Sequence, residues 1–397
     1  MTAKYAAALS EHPSAPDATA EALSQVQDTL QGTPTLTVLF ASASHRDAME
    51  LITELVMDVI TPQCLLATLS DTVIGEGKEV ESQPAIALWG TSEGHIQGVR
   101  LTSGNPQEIS SLQENSTPQE NRGGNPSVGD LPPTATLLLL ADPFSFPTED
   151  LLFNLAEDQP DIRVVGGLTT AVTRPGSAQL WLNGDLYNTG AVGALVSEVP
   201  SVRSVVSQGC HPTGSPYTVT RAEGNHLLEL GGRPALIRLR DLVATASDEE
   251  RRLMRKGLHV GIAVDESRLE YTGGDFLIRG IVDLDRESGA VAVGGMVEVG
   301  DTIQFHVRDA DTAMSDLRSS FADETAQGAL LFTCNGRGTH MFGTPNHDAG
   351  VLSDMLNNLP LAGMSCAGEI GPVGRKNYLH GFTASVALFG RETRFDQ

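Results

Sequence analysis

Three segments of the chain share one outline: an apolar strand, a loop, a helix, a short apolar strand and a glycine-bearing turn. They cover residues 38–77, 137–170 and 330–371. Strands joined through a helix run parallel with a right-handed crossover, so the outline indicates three parallel β-α-β units. Common ancestry of the segments and a generic α/β outline both remain open. The predicted fold class is α/β, with mixed sheets flanked by helices in two tightly associated domains.

The domain count follows from length. At 397 residues the chain is long for a single hydrophobic core, so we expect two domains. The sequence predicts an N-terminal helical segment over 1–34, a first domain over 35–242 and a second over 243–397. Residues 102–133 are rich in Ser, Asn, Gln, Pro and Gly. That composition cannot bury a core, and it predicts a polar loop or insertion in the first domain.

Helices are predicted where apolar residues recur at a spacing of three or four. The predicted helices cover 17–30, 45–60, 149–156, 235–242, 309–326 and 348–356. A charged run over 248–252 precedes a predicted strand at 258–264.

The net charge of -24 limits the partners of this chain. Nucleic acid and an anionic membrane surface would both be repelled, so neither is expected as a partner. Solubility in a salty cytosol and an acidic recognition face both account for the charge. No apolar run is long enough to cross a bilayer, and the N-terminus lacks the pattern of a signal peptide. The four cysteines form no CxxC pair, so we expect a reducing, cytoplasmic location.

Residues 329–373 hold the most specific run of the sequence. Two apolar strands there each end in a cysteine, glycines and one charged residue. The candidate ligand-binding residues at these two strand ends are Cys334, Asn335, Arg337, Cys366, Gly368 and Glu369. If the strands lie side by side, these groups meet at one sheet edge, where α/β proteins usually bind ligands.

Arg337 and Glu369 carry the most informative charges of this run. Glu369 lies between two glycines directly after a strand, so we expect it to be held in place. The two side chains could form an ion pair with each other. Alternatively, Arg337 could hold a ligand carboxylate and Glu369 a ligand amine, an arrangement suited to a zwitterion such as an amino acid.

The cysteines have several possible roles. Cys334 and Cys366 could be nucleophiles beside Arg337, or small buried hydrophobes at strand ends. A zinc site from Cys210, His211, Cys334 and Cys366 is a further alternative, although adjacent residues rarely ligate one tetrahedral metal. The sequence contains no GxxxxGK[ST] or HExxH motif. We therefore predict no cofactor, metal or catalytic residue, and we expect binding rather than turnover.

The chain resembles the FIST proteins, a family named for F-boxes and intracellular signal transduction. A FIST N-terminal domain is similar to residues 38–242, and a FIST C-terminal domain to residues 243–389. The segments that carry the resemblance are 74–81, 165–167, 209–214, 229–235, 332–338 and 362–372. The chain departs from the family at 67–71, where members usually carry a Gly-Cys-Ser-type turn.

This resemblance implies a sensory module for small ligands such as amino acids. The chain has no room for a kinase, a cyclase or a chemotaxis module, so it would be a stand-alone member that needs a separate protein partner to pass on a signal. Gly209, Cys210 and His211 of the first domain are expected to complete the ligand pocket, which would then lie between the domains. The alternatives are a cysteine-dependent enzyme that uses Cys334 or Cys366, and an acidic protein-interaction scaffold.

Overall fold

The computed structural model describes residues 4–30, 32–102, 135–197, 202–266, 268, 271 and 273–390. Its contacts divide the chain into two compact units. The first unit comprises Met1–Val206, Ser320–Leu379 and Ala384–Gln397, and the second comprises Ser207–Ser319 and His380–Thr383. The predicted mixed α/β fold is confirmed. The polar segment predicted over 102–133 lies outside the described residues apart from Thr102.

The six predicted helices are present, with small shifts at their ends. The helices in the described part of the chain are α1 (Ala15–Thr29), α2 (Met49–Ile60), α3 (Thr148–Asp158), α4 (Ala235–Thr245), α5 (Asp248–Lys256), α6 (Ala310–Phe321), α7 (Thr339–Phe342) and α8 (His347–Met355). Turns of 3-10 helix occupy Ala43–Ala48 and Gly273–Asp275. Helices α5 and α7 were not predicted; α5 contains the charged run at 248–252.

The strands lie before, between and after these helices, in several runs of consecutive strands. In the N-terminal half they are β1 (Tyr5–Ser10), β2 (Leu36–Ser42), β3 (Cys64–Ser70), β4 (Thr72–Gly75), β5 (Lys78–Glu81), β6 (Ile86–Thr91), β7 (His95–Leu101), β8 (Thr136–Ala141), β9 (Arg163–Thr169), β10 (Leu180–Leu182), β11 (Asp185–Tyr187), β12 (Ala191–Ser197) and β13 (Arg203–Gln208). The strand β1 precedes the helix that was expected for the N-terminal segment.

The C-terminal half continues the numbering. Its strands are β14 (Cys210–Glu223), β15 (His226–Leu230), β16 (Arg233–Pro234), β17 (Leu258–Ala263), β18 (Phe276–Leu284), β19 (Val291–Val293), β20 (Thr302–Arg308), β21 (Gly328–Cys334), β22 (Leu361–Val373), β23 (Lys376–His380) and β24 (Thr383–Phe389). The long strand β14 contains Pro212, Gly214 and Pro216. It holds Pro216 because its register shifts between Thr213 and Tyr217, and prolines are tolerated at such irregularities.

The strands form three sheets. Sheet A has the order β1-β6-β2-β3-β10-β11, and sheet B the order β13-β24-β21-β22-β9-β8-β12-β7, with β23 and β4 paired to β22 and β5 paired to β4. Sheet C has the order β14-β20-β17-β18-β19-β15-β16. Sheet B takes strands from both domains that the sequence predicts, because β8 and β9 lie beside β21 and β22.

The three predicted β-α-β units are confirmed by the strand register. β2 pairs in parallel with β3, β8 with β9, and β21 with β22. The helix that connects β2 to β3 is α2, and the helix that connects β8 to β9 is α3. Helices α7 and α8 together connect β21 to β22. Each parallel pair therefore presents its two carboxyl ends at one edge, the place where polar groups can gather.

Side chains of sheets A and B pack into one apolar cluster of the first unit. Phe40 and Leu66 of sheet A meet Phe332 and Met364 of sheet B, and the rings of Phe40 and Phe332 lie edge to face at 6.1 Å. Each such buried side chain contributes about 1.5–3 kcal/mol through removal of apolar surface from water. This packing fixes the ends of β21 and β22, from which the candidate site extends.

The second unit is organised around sheet C. Helix α4 buries Leu236 and Leu239 in an apolar cluster with Val260 and Phe305 of the sheet. The charged helix α5 begins with a capping box, in which Ser247 and Glu250 bond to each other's backbone N–H groups. No helix in the described parts of the chain is long and apolar enough to cross a membrane.

Candidate functional site

The carboxyl end of β21 lies beside β22, as the sequence predicted. However, β22 does not end at Cys366 as expected, because it continues through Glu369 to Val373. Cys334 and Cys366 are partners in the parallel register of these strands. The backbone N–H of Asn335 donates to the carbonyl oxygen of Cys366 at 2.9 Å, which ties the two strand ends together. Four predicted residues, Cys334, Arg337, Cys366 and Glu369, thus gather in one electrostatically connected group.

The guanidinium of Arg337 holds Asp348 in a bidentate ion pair. Arg337 Nε donates to Asp348 Oδ2 at 2.5 Å, and Nη2 donates to Oδ1 at 2.8 Å. The side chains are 0% and 1% exposed. Asp348 was not among the predicted site residues. Its carboxylate occupies the Nε–Nη2 edge of the Arg337 guanidinium, so a ligand carboxylate cannot bind to that edge unless Asp348 moves.

The carboxylate of Asp348 has two further hydrogen-bonding neighbours besides Arg337. Thr333 Oγ1 donates to Oδ2 at 3.0 Å, and His347 Nδ1 lies 2.9 Å from Oδ1. Burial disfavours the carboxylate, but the charge of Arg337 and these hydrogen bonds hold the pKa of Asp348 well below its usual range. Burial likewise opposes the charge of Arg337, yet Asp348 keeps the pKa of the guanidinium above its ordinary value. Both groups are therefore ionised in the folded protein.

Two buried nitrogen atoms of this group have no hydrogen-bond partner among the described residues. They are Nη1 of Arg337 and Nε2 of His347. Because the carboxylate of Asp348 accepts at His347 Nδ1, the proton of a neutral His347 is on Nδ1 and Nε2 presents a lone pair. Leaving buried polar atoms without partners is costly, so these two atoms mark a place where a polar group could be received.

Helix α7 covers the ion pair. The Phe342 ring stacks on His347 with centroids 3.4 Å apart and planes 7° apart, and the Arg337 guanidinium lies 5.3 Å from the centre of the same ring. The helix has a glycine at each end, Gly338 and Gly343, with φ of 88° and 71°. These angles lie in the left-handed region that glycine adopts without strain. The cover is thus one short helical turn held between two glycine turns.

The β4–β5 hairpin reaches this site from the other end of the sequence. Gly75 of β4 pairs with Ala362 of β22. The carboxylate of Glu79 accepts from the backbone N–H of Ala349 at 2.8 Å, in the first turn of α8. Glu81 accepts from the N–H and the hydroxyl of Thr339, both at 2.8 Å, at the start of α7. The segment 74–81, noted only for the resemblance, therefore caps both helices that cover Arg337.

Glu79 titrates near neutrality. Burial raises the pKa of its carboxyl, the charge of Asp348 raises it further, and the N–H groups of α8 and the charge of Arg337 lower it, with a result of about 7. A cleft of about 430 Å³ lies beside it. The residues that line this cleft are Glu11, Lys78, Glu79, Val80, Glu81, Gln83, Thr339, Pro345 and Asn346.

Sequence reasoning missed Glu79, His347 and Asp348 as members of this site. Asp348 begins the predicted helix 348–356, where an acidic residue in the first turn is common. Glu79 belongs to a segment quoted for the resemblance, but nothing in its spacing pairs it with a helix 270 residues later. The hairpin carries alternating charges that also suit a surface ribbon.

Gly368 and Cys366 lie against the neighbouring strand β9. Gly368 pairs with Leu168, and a register shift separates it from Cys366. Gly167 of β9 lies so close that a Cβ atom there would overlap the Cys366 sulfur. Burial raises the pKa of the Cys366 thiol well above its ordinary value, and the charge of Glu369 adds to this. Cys366 is thus a buried, protonated thiol.

The remaining predicted residues, Gly209, Cys210 and His211, belong to the second unit. Cys210 is buried and pairs in register with Arg308 of β20. His211 Nδ1 lies 3.2 Å from the hydroxyl of Thr312, which donates to Asp309. Their role in ligand binding stays a prediction. Among the described residues, no three His, Cys, Asp or Glu side chains are placed to hold one metal ion.

These features define a mixed α/β protein with a buried ionic centre at the end of a parallel strand pair. Comparison with protein families gives its class. The FIST N domain matches residues 35–233, and the FIST C domain matches residues 235–372. The chain belongs to the FIST family, whose domains are associated with sensing in signal transduction.

Full-length relatives occur in mycobacteria. The chain is 42% identical over 390 residues to the uncharacterized protein Rv0628c of Mycobacterium tuberculosis (strain ATCC 25618 / H37Rv), covering 94% of this chain and 97% of the relative. It is 39% identical over 389 residues to the uncharacterized protein Mb0898c of Mycobacterium bovis, covering 95% and 96%. The similarity therefore extends over both FIST domains.

Proposed function

We propose that this protein is a cytoplasmic sensor of intracellular signal transduction, which binds a small amino-acid-like ligand at Arg337 and Glu369. A separate protein passes on the signal. The observation that carries the proposal is the buried Nη1 of Arg337, which has no hydrogen-bond partner among the described residues. Membership of the FIST family supports a sensory role.

The ligand carboxylate binds to Nη1 of Arg337, because the other edge of the guanidinium is engaged by Asp348. Asp348 fixes the guanidinium in one orientation, so little side-chain entropy is lost when the ligand arrives. Glu369 receives the ligand ammonium. It is fully buried, and its charge acts on both Arg337 and Cys366. One fixed cation and one fixed anion in the same group favour a zwitterion over a simple acid or amine.

Binding requires a local opening, since the side chains of Arg337 and Glu369 are buried. The element that moves is α7, because Phe342 covers Arg337 and the glycines at both ends of the helix tolerate a change of backbone angles. The ligand enters through the adjacent cleft, which Thr339 of α7 helps to line. A ligand that binds only the open form shifts the population towards it, and this shift is the signal.

A thermal-shift screen of amino acids tests the proposal. A ligand that binds only the folded state raises the Tm, by an amount that grows with its concentration. For each amino acid that raises the Tm, the decarboxylated amine and the deaminated acid are tested as well, and both should have little effect. A panel of amino acids and related metabolites that leaves the Tm unchanged would remove the main support for this function.

Two variants locate the binding site. Glu369→Gln removes the anion that receives the ammonium and should abolish the shift. Glu54→Gln changes an exposed residue of α2 in the same unit and should leave the shift intact. A shift that survives in Glu369→Gln would show that the ligand binds elsewhere.

A further inference from the structure

Two cysteines, Cys334 and Cys366, lie next to each other at the end of the β21–β22 pair, and their arrangement does not depend on a bound ligand. Cys334 and Cys366 are register partners on adjacent parallel strands, so their side chains project from the same side of the sheet. Neighbouring strands lie about 4.8 Å apart. This spacing lies within the range of about 4.4–6.8 Å that separates the Cα atoms of a disulfide. The two sulfur atoms also interact electrostatically.

Cys334 has the surroundings of a reactive thiol. It is the more accessible of the two, with 7% exposure against 0% for Cys366, and it precedes the exposed Asn335. The backbone N–H of Gly336 points at its sulfur at 3.4 Å. The positive charge of Arg337 acts on it as well, and Asp348 prevents that guanidinium from swinging away. The donated N–H and the fixed cation favour the thiolate, which is the nucleophilic form of cysteine, whereas burial and the contact of the sulfur with Asn335 Oδ1 at 3.8 Å oppose it.

Cys366 has the opposite surroundings. It lies in the apolar cluster between sheets A and B, against Gly167 and within reach of the negative charge of Glu369. These surroundings keep it a neutral thiol that an external oxidant cannot approach. Such a thiol reacts only with a sulfur that is already beside it. Cys334 is therefore suited to react with an oxidant, and Cys366 is suited to react afterwards with the oxidised sulfur of Cys334.

We propose that Cys334 and Cys366 are a peroxide-reactive dithiol that closes to a disulfide across the ends of β21 and β22. The Cys334 thiolate attacks one oxygen of hydrogen peroxide, the O–O bond breaks, and the leaving hydroxide takes up a proton to become water. Cys334 is then a sulfenic acid. The sulfur of Cys366 attacks it, the S–S bond forms, the S–O bond breaks, and the departing hydroxyl leaves as water with the proton that Cys366 loses. Two thiols are oxidised by two electrons, and one peroxide is reduced to two waters.

The test uses the full-length, reduced protein with hydrogen peroxide and without any ligand. After quenching with an alkylating agent, a non-reducing digest is analysed by mass spectrometry. The expected product is a peptide that links Cys334 to Cys366, with an intact mass lower by two hydrogen atoms and with reversal by dithiothreitol. The proposal is overturned if both thiols stay unmodified at a peroxide concentration that oxidises free cysteine in the same tube, or if another cysteine pair forms the link.

Three variants assign the two steps. Cys366→Ser should stop at the Cys334 sulfenic acid, which dimedone traps, whereas Cys334→Ser should lose all peroxide reactivity of this pair. Cys64→Ser is the matched control, because Cys64 is also buried, at the start of β3, and its loss should leave the link unchanged. Dimedone on Cys366 in Cys334→Ser would contradict the assigned order. Because the wild-type link is measured directly, the result does not depend on how well a variant folds.

Discussion

Each unit of the protein buries a polar cluster, and the two clusters are built in opposite ways. In the first unit Arg337 and Asp348 are buried as ions that bond to each other. In the second unit His259 of β17 and His306 of β20 are register partners, and they are buried among aromatic rings. The ring of His259 meets Phe382 at 4.1 Å, and that of His306 meets Phe276 at 4.9 Å.

The difference lies in how each cluster offsets the cost of desolvation. Removing two ions from water is tolerated in the first unit because two short hydrogen bonds join them and further donors complete Asp348. The histidines meet the same cost by losing their protons. Burial lowers the pKa of both to about 4, and the charge of Arg308 contributes for His259. A fixed pair of ions can orient a charged ligand, whereas neutral imidazole rings set edge to face against aromatic rings serve packing.

Breaking the ion pair should give the largest effect of any single substitution. Arg337→Met leaves Asp348 as a buried charge without its counterion, so we expect the free energy of unfolding to fall by about 3–5 kcal/mol. The double variant Arg337→Met/Asp348→Leu removes both charges and should recover much of this loss. Urea unfolding of the three proteins at neutral pH measures both changes. Arg252→Met, which breaks an exposed pair with Glu249, is the control and should cost far less.

Lowering the pH should reduce the free energy of unfolding through the histidine cluster. A histidine whose folded pKa is about 4 binds fewer protons than in the unfolded chain, where the pKa is 6.5. Its stabilising contribution is therefore present above pH 6.5 and is lost as the pH falls towards 4, by about 2–3 kcal/mol for each histidine. Urea unfolding between pH 7 and pH 4.5 should show this slope, and His259→Phe should reduce it.

The control for this slope is a histidine outside the cluster. His95→Gln changes an exposed residue of β7 and should leave the slope as it is in the wild type. If His259→Phe and the wild type lose stability in parallel as the pH falls, the histidine is not held neutral by burial.

Glu79 should give a smaller effect of opposite sign. Its folded pKa of about 7 exceeds the ordinary value of 4.5, so the folded protein holds the proton more tightly than the unfolded chain. Stability from this group is present below pH 4.5 and is lost as the pH rises through 7. Glu79→Gln keeps an acceptor for the N–H of Ala349 but cannot ionise. Relative to the wild type, it should gain about 2–3 kcal/mol between pH 5 and pH 8 in urea unfolding.

A neighbouring glutamate provides the comparison for this variant. Glu76→Gln lies in the exposed turn of the same hairpin and should follow the wild type at both pH values. A constant difference between Glu79→Gln and the wild type from pH 5 to pH 8 would mean that Glu79 does not titrate in this window.

Local patterns were sufficient for much of the fold. The apolar runs around Leu330 and Leu361, with the helix between them, predicted a parallel strand pair. The apolar runs that begin near Val38 and Leu137 predicted the other two pairs. These runs are continuous because the strands are buried on both faces. Helix α5 was missed because Leu253 is its one buried side chain among charged residues. Its signal was the capping box of Ser247 and Glu250, which is readable from the sequence.

The site was predictable only where it follows from strand ends. Cys334 and Arg337 lie at and just after the end of β21. They meet Cys366 and Glu369 because the neighbouring strand β22 carries those residues beside that end. Asp348 and Glu79 could not be paired with them from the sequence, since a tertiary contact between distant segments leaves no local pattern. Whether Arg337 forms its bidentate ion pair with Asp348 or with Glu369 depends on where α8 begins. Sequence patterns predict such helix boundaries poorly.

The most direct test of the account is the affinity of the best amino acid from the screen, measured by isothermal titration calorimetry. The wild type and Glu54→Gln should bind it equally. Glu369→Gln, checked for folding by circular dichroism, should bind it about 30-fold more weakly or worse, because the ligand ammonium loses its buried counterion. Equal Kd values for all three proteins would contradict the claim that the ionic centre at the end of β21 and β22 recognises the ligand.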